Sequence, residues 1–344
     1  MRKIVDVSGY GHSGKSAISE FIADHKGVFA FPTSVEFELF RAPGGLFDLL
    51  NSLHTNFGLI RSNEDIERFN RLIYRIGSCQ NWRKPSSFLV SSGHEYDRLF
   101  KGRFIELSEG LIEKLRYFSY STSWPYKKFT MSKMDLLNFK IRRKLKMISD
   151  EQLVSIVDRA LIPDYISDYI HSLFSLVADN FDTHVLINNG FEPFLASAGT
   201  NLIKNSCSII VHRDPRDIYA SLLCAESDKF VPDFESYSGV DNLKKSIVAA
   251  GDIEIFVERY RLLHANSSSD TDNSVLRIRY EDFVLKHEQT SNIILKHIGF
   301  EDVPERKTRK FNKEESSKNI GLWKNFKDLE EIRIISDRLQ EFCY

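Results

Sequence analysis

Short unbroken apolar runs alternate along the chain with longer stretches in which apolar residues recur every three or four positions. Ile4-Val5-Asp6-Val7-Ser8 is a run rich in β-branched residues that leads into glycines, and it predicts a buried first strand. From Ser16 onward, Ala17, Ile18, Phe21 and Ile22 share one helical face. Gly27-Val28-Phe29-Ala30-Phe31-Pro32 predicts a second strand, ended by proline. Strand, glycine loop, helix, strand is the opening of a parallel α/β sheet.

From about residue 60 to 183 the spacing is mostly helical. Leu137, Ile141, Leu145 and Ile148 repeat at helical intervals. Ser149-Asp150-Glu151-Gln152 fits a capping box for a following helix that would carry Leu153, Ile156, Val157 and Ala160. A further helix carries Ile166, Tyr169, Ile170, Leu173 and Val177. With no long linker around it, this stretch is expected to be an insertion within one domain spanning residues 1–344.

Strand signals then return at His184–Ile187, Cys207–Val211 and Ser274–Ile278. Asp214 can cap a helix beginning at Pro215, since proline suits the first helical position. The last of these strands is followed by a helix through Ile298 that Gly299 can close. Asn266-Ser267-Ser268-Ser269-Asp270 is polar and predicts a mobile loop. The fold class expected is therefore α/β: a P-loop-type parallel sheet flanked by helices, with a mostly helical insertion.

Composition narrows the function. The chain has 344 residues, 42% hydrophobic and 28% charged, which excludes disordered and collagen-like classes. Lys and Arg total 47 against 48 Asp and Glu, so no global charge draws the protein to nucleic acid or to a membrane. An anionic ligand has to be met by a local basic site. The four cysteines, Cys79, Cys207, Cys224 and Cys343, show no CxxC spacing, which fits a reducing compartment and gives no zinc pattern. Asp6 and His12 interrupt any signal-peptide core, and no apolar run reaches 18 residues. A cytoplasmic protein without a transmembrane segment is the expectation.

The first strand runs into Gly9-Tyr10-Gly11-His12-Ser13-Gly14-Lys15-Ser16, a full GxxxxGK[ST] match between a strand and a helix. Glycines let the backbone turn tightly, successive N–H groups point into the turn, and the helix N-terminus adds partial positive charge. Gly11, Ser13, Gly14, Lys15, Ser16 and Ala17 are thus candidates for phosphate binding. A second basic turn, His212-Arg213-Asp214-Pro215-Arg216-Asp217-Ile218-Tyr219-Ala220-Ser221, follows an apolar strand. It sets Arg213 at a carboxyl strand end, where open α/β sheets bind ligands. The bland reading of this turn is a charged helix start with internal Arg–Asp pairs.

Together these elements resemble the sulfotransferases that use 3′-phosphoadenosine 5′-phosphosulfate (PAPS). In that family a modified P-loop holds the 5′-phosphosulfate, and an arginine and a serine in a pattern like R-[DN]-P-R-D-x-x-x-S hold the 3′-phosphate. Arg213 and Ser221 match those positions. Arg279-Tyr280-Glu281-Asp282-Phe283 resembles the family's RYEDL element. Ser316-Ser317-Lys318-Asn319-Ile320-Gly321-Leu322-Trp323-Lys324 resembles its C-terminal nucleotide loop, which adds Lys318, Gly321 and Lys324 to the binding candidates. The resemblance covers residues 1–40 and 184–344. It implies PAPS as donor, with the bisphosphate PAP as product, and a hydroxyl or amine acceptor, expected to be a carbohydrate-containing molecule such as a glycan or other surface-polymer precursor, whose site the 60–183 insertion is expected to shape.

Two departures stand out. His12 replaces the family's usual Lys or Arg before Ser-Gly, and Lys15-Ser16 makes the loop more like that of an NTPase. Either His12 or Lys15 can meet the leaving oxygen. The family's histidine base has no counterpart at Asn188-Asn189-Gly190. Glu36 is the candidate base instead, with Glu38 second and Asp6 and His12 behind, because residues 32–41 follow the second strand beside the P-loop. The rival class is a P-loop ATP-dependent kinase. It calls for an Mg²⁺-binding aspartate at another strand end, where Asn188 and Asn189 stand, although Asp214 could serve. Residues 126–147 carry eight Lys or Arg against Asp135 alone, either a solvated helix face or a contact for an anionic glycan, lipid or membrane surface.

Overall fold

Lys3–Gly9 forms β1, and the Ile4–Gly9 stretch is buried or nearly so because β1 is the central strand of a sheet covered on both faces. The computed structural model describes residues 1–33, 35–81, 83, 86–145, 147, 151–227, 252–300 and 309–344. Ile148, Ser149 and Asp150, named above, and Lys146 of the basic 126–147 stretch lie outside the described residues. The described chain forms two compact units, Met1–Glu38 with Ala178–Tyr344, and Leu39–Val177.

In the first unit, β1 leads through the glycine loop into α1 (Lys15–Ala23) and then β2 (Val28–Ala30). In the second, the helices α2 (Leu59–Gly77) and α3 (Phe104–Leu115) precede strand β3 (Phe118–Ser123). Helix α4 (Lys133–Lys144), strand β4 (Glu151–Ile156) and helix α5 (Ile162–Val177) follow. The first unit resumes with β5 (His184–Asn188), β6 (Ser206–His212), α6 (Pro215–Ser227) and α7 (Ile253–Ser269). It ends with β7 (Val275–Arg279), α8 (Tyr280–Leu285), α9 (His287–Ile298) and α10 (Glu330–Arg338).

The chain is α/β, with a five-stranded sheet of order β2-β5-β1-β6-β7 whose neighbours all pair in parallel. Alternate strand residues face opposite sides. Val5, Val7, Ile209 and Val211 pack with Ile18, Phe21 and Ile22 of α1 and with Phe283, Ile294 and Ile298 of α8 and α9. A second cluster joins Ile218 and Leu222 of α6, Phe256 and Tyr260 of α7, and Ile332 and Ile335 of α10. The register sets Val7 beside Asn188, Gly9 beside Val211, and His212 beside Arg279. The loops that leave β1, β5, β6 and β7 therefore open at one edge of the sheet.

The helix from Pro215 begins as expected: Asp214 Oδ1 accepts the Arg216 N–H at 2.8 Å, a side-chain cap on the first turn. Gly299 closes α9 in the left-handed conformation, φ 70°. The expected single helix before it is interrupted at Lys286, whose ψ of 45° is not helical.

Two expectations are corrected. Residues 151–156 do not continue a capped helix; they form β4, antiparallel to β3, with Tyr120 opposite Val154 and Phe118 opposite Ile156. Asn63 on α2 fixes that strand by exchanging two hydrogen bonds with the Ser155 backbone, at 2.8 and 2.9 Å. A short pairing partner and a side-chain clamp outweigh local helical spacing here. The serine-rich 266–269 stretch is no loop but the last turn of α7, capped by Asp270. Arg277 donates to the Ser267 carbonyl at 2.9 Å and also to that of Asp270, so carbonyls left open at a helix end find a half-buried cation. Elsewhere the second unit has a helical core: Ser108 of α3 bonds Tyr169 of α5 at 2.6 Å, beside the stacked rings of Phe100 and Phe174.

Candidate active site

The loop after β1 turns sharply. His12 and Gly14 both take positive φ, 61° and 86°, and the Ser13 N–H bonds the Tyr10 carbonyl at 3.0 Å. Only glycine suits position 14: a Cβ there would sit 2.3 Å from the Tyr280 ring, in a backbone region side chains avoid. The turn delivers the chain to the N-terminus of α1, which carries no acidic residue in its first turn. Ser13 Oγ is buried and has no partner among the described residues. A buried hydroxyl without a partner, at the mouth of a helix N-terminus, fits an anionic acceptor.

Lys15, at the first position of α1, points to Glu36: Nζ lies 3.1 Å from Oε1, with both side chains mostly buried. Glu36 is there because its backbone bridges Asn188 at the end of β5, and the Phe37 N–H bonds the Asn188 carbonyl at 3.3 Å. Asn189, in left-handed backbone at φ 44°, donates from Nδ2 to Glu36 Oε1 at 2.6 Å. Its Oδ1 accepts the Gly9 N–H at 3.3 Å. One asparagine thus ties the end of β5 to both the P-loop and the candidate base. Asparagine tolerates this backbone, and the paired asparagines at a strand end were the available signal.

Asp6 and Glu38, the other carboxylates considered as base, stand differently. Asp6 is fully buried within the sheet, where it accepts from Ser8 and Ser208 hydroxyls and from the Gly190 and Phe191 N–H groups. Burial raises its pKa to about 6, against the pull of those four donors. Glu38 starts the short helix Glu38–Arg41.

The second basic turn closes on the first. Arg213 is 4% exposed and donates from Nη1 to the His12 carbonyl at 2.8 Å and from Nη2 to the Asn319 carbonyl at 2.5 Å. Its Cζ lies 5.2 Å from the Tyr280 ring centroid, and Nε is buried without a partner. A guanidinium has five N–H donors, so this buried cation keeps capacity for an anion. Among the described residues it forms no ion pair. Ser221 Oγ is 3.4 Å from His12 Nδ1. Arg216 follows the bland reading instead: it pairs with Asp214 at 2.6 Å and stacks 4.1 Å over Trp323.

The C-terminal loop is anchored to the same place. Asp217 Oδ2 accepts the Gly321 N–H at 2.7 Å, and its Oδ1 accepts that of Trp323 at 3.0 Å. The Tyr280 hydroxyl donates to the Ser316 carbonyl at 2.8 Å. Burial raises the pKa of Asp217, and these backbone donors oppose the rise. Gly11, His12, Ser13, Gly14, Lys15, Ser16, Ala17, Glu36, Arg213, Ser221 and Gly321 therefore gather around one sheet edge. Lys318 and Lys324 do not share their contacts. Lys318 is exposed and paired with Glu315 at 2.6 Å, and Lys324 is exposed beside Gly321. Asp217 is not singled out by the sequence, because nothing local distinguishes a clamp from any polar residue in a helix; the only signal at Asn189 is its pairing with Asn188 at a strand end.

No family model matches the chain, and no curated protein does. Among solved structures the chain is similar to the sulfotransferase domain from the Synechococcus PCC 7002 olefin synthase, with 13% identity, TM-score 0.37 and 95% of each chain covered. It is also similar to the sulfotransferase domain from the curacin biosynthetic pathway, with 14% identity, TM-score 0.38, and 99% of this chain and 98% of that one covered. The sulfotransferase STF9 from Mycobacterium avium matches with 12% identity and TM-score 0.36, over 99% of this chain and 76% of that one. Likeness at this level leaves activity to the residues of the site.

Proposed function

We propose that this protein is a PAPS-dependent sulfotransferase acting on a hydroxyl or amine of a carbohydrate-containing acceptor. The observation that carries this reading is the meeting of two anion-suited elements on one loop: buried Arg213 bonds the His12 carbonyl, and Ser221 lies 3.4 Å from the His12 ring. A P-loop kinase needs only the first element. A donor nucleotide with phosphate at both the 3′ and 5′ positions calls for both.

In this reading Ser13, Lys15, Ser16 and the N–H groups of Gly11, Gly14 and Ala17 hold the 5′-phosphosulfate. Arg213 and Ser221 hold the 3′-phosphate, and the loop through Gly321 covers the nucleotide. The donor supplies an activated sulfuryl group bound to a phosphate oxygen. Charge built up on that oxygen is met by Lys15, whose ammonium has three donors and can keep Glu36 while bonding an anion. Glu36, held by Asn189, takes the proton of an acceptor hydroxyl brought within hydrogen-bond reach.

Calorimetric titration of the full chain with adenosine 3′,5′-bisphosphate, and separately with ATP and Mg²⁺, tests the reading. Tight binding of the bisphosphate without metal is expected. Preference for ATP with Mg²⁺ would make the protein a P-loop phosphotransferase.

A further inference from the structure

The unit Leu39–Val177 carries a surface that nucleotide chemistry does not use. Helix α4 buries none of its twelve residues. Met134, Leu137 and Ile141 are 75%, 54% and 50% exposed, and Leu145 just beyond the helix is 62% exposed. Their spacing sets all four within an arc of about 80° along one stripe. Leu136 and Phe139 fall on another side and are half-buried, with Lys128 Nζ 5.5 Å above the Phe139 ring. The helix is thus held by one side while its longest apolar stripe faces solvent.

Charge frames that stripe. Lys133, Lys140 and Lys144 run along one flank, and Arg142 along the other. Asp135 is the helix's one acidic residue, and it is engaged at the N-cap by Ser132 at 2.7 Å. The turn before the helix, Pro125–Phe129, adds an exposed aromatic: Phe129 is 83% accessible, and Tyr126 stands edge-on to Trp124 at 5.1 Å.

We infer that α4 and the turn before it form a docking face for an anionic lipid surface, with the helix lying in the headgroup plane. Three observations choose this occupant. An anionic glycan would satisfy the lysines and leave four aliphatic side chains in water. A second copy of the chain, packed by two-fold symmetry on this face, would bring basic flank against basic flank. A bilayer with acidic headgroups takes both at once: the Lys and Arg heads reach the phosphates while Met134, Leu137, Ile141 and Leu145 enter the acyl boundary. A twelve-residue helix is about 18 Å long, too short to cross a hydrocarbon core, so it lies on the surface. Among the described residues no helix is long and apolar enough to span a membrane. The inference is independent of how the P-loop is read.

The test is co-sedimentation of the full chain with vesicles of phosphatidylcholine alone or mixed with phosphatidylglycerol. Binding to the acidic vesicles is expected, falling steeply as salt is raised, with little binding to the neutral ones. Lys140→Gln and Lys144→Gln should each lower partitioning about five-fold. The double change Leu137→Asp with Ile141→Asp should abolish binding while leaving the thermal melt and bisphosphate affinity unchanged, since both side chains are exposed. Equal, weak sedimentation with both vesicle types would overturn the inference. So would a shift from dimer to monomer in the double variant by analytical ultracentrifugation, which would give the stripe to a second copy.

Discussion

Lys15 Nζ and Glu36 Oε1 lie 3.1 Å apart, one from the start of α1 and one from the segment after β2, twenty-one residues on. The P-loop lysine and the candidate base are thus direct neighbours, and Asn189 bonds the same carboxylate oxygen of Glu36. Removing either charge has a distinct consequence. Glu36→Gln keeps a hydrogen-bonding side chain beside Lys15, so bisphosphate affinity should hold within about two-fold while sulfuryl transfer falls by about 10²–10⁴. Lys15→Ala should weaken nucleotide binding itself, and leave Glu36 without its cation. Single-turnover kinetics alongside calorimetry separates the two; full turnover in Glu36→Gln would move the base elsewhere.

Arg213 has a dual position, and its variants should report both roles. Arg213→Ala removes the bonds to the His12 and Asn319 carbonyls, so the melting temperature should drop as well as affinity. Ser221→Ala should leave the melt nearly unchanged. Both should weaken a 3′-phosphorylated nucleotide by roughly 1.5–3 kcal/mol relative to the same nucleotide lacking that phosphate. Equal losses for the two nucleotides would remove the turn from the binding site.

Gly14 is under two constraints, a φ of 86° and a Tyr280 ring 2.3 Å from where a Cβ would stand. Gly14→Ala pays about 1–2 kcal/mol for backbone conformation and must also displace the ring. Because Tyr280 holds Ser316 and faces Arg213, the C-terminal loop should loosen. Limited proteolysis should find cleavage near residues 316–324 in this variant and not in the native chain.

Asp6 links the sheet under the P-loop to pH. Its pKa is about 6 in the fold and about 3.8 when unfolded, so the native state holds this proton more tightly. The stabilisation is complete below about pH 4 and is lost as pH rises through about 6, roughly 3 kcal/mol in all. Urea unfolding of the native chain and Asp6→Asn across that range checks the sign. The stability gap between them should narrow as pH rises; parallel curves would show that Asp6 does not titrate there.

Patterns written in contiguous residues were legible before the chain folded. The GxxxxGK[ST] loop, the strand before it, the capped helix from Pro215 and the glycine stop at Gly299 are local patterns, and local backbone chemistry enforces each. Arg213 and Ser221 stood out through the resemblance of one contiguous turn to the R-[DN]-P-R-D-x-x-x-S pattern. Everything that depends on distant segments meeting came only with the folded chain. Parallel register alone brings Gly9, Asn188, His212 and Arg279 to one sheet edge, and so sets Asn189 on Glu36 and Asp217 under the Gly321 loop. It also overruled local spacing twice. Residues 151–156 became a strand because Phe118–Ser123 lay ready to pair with them, and the polar 266–269 stretch stayed helical because Arg277 met its open carbonyls. A hydrogen bond between residues far apart in sequence leaves no periodic trace in either segment, and its contribution is felt only once the chain has closed around it.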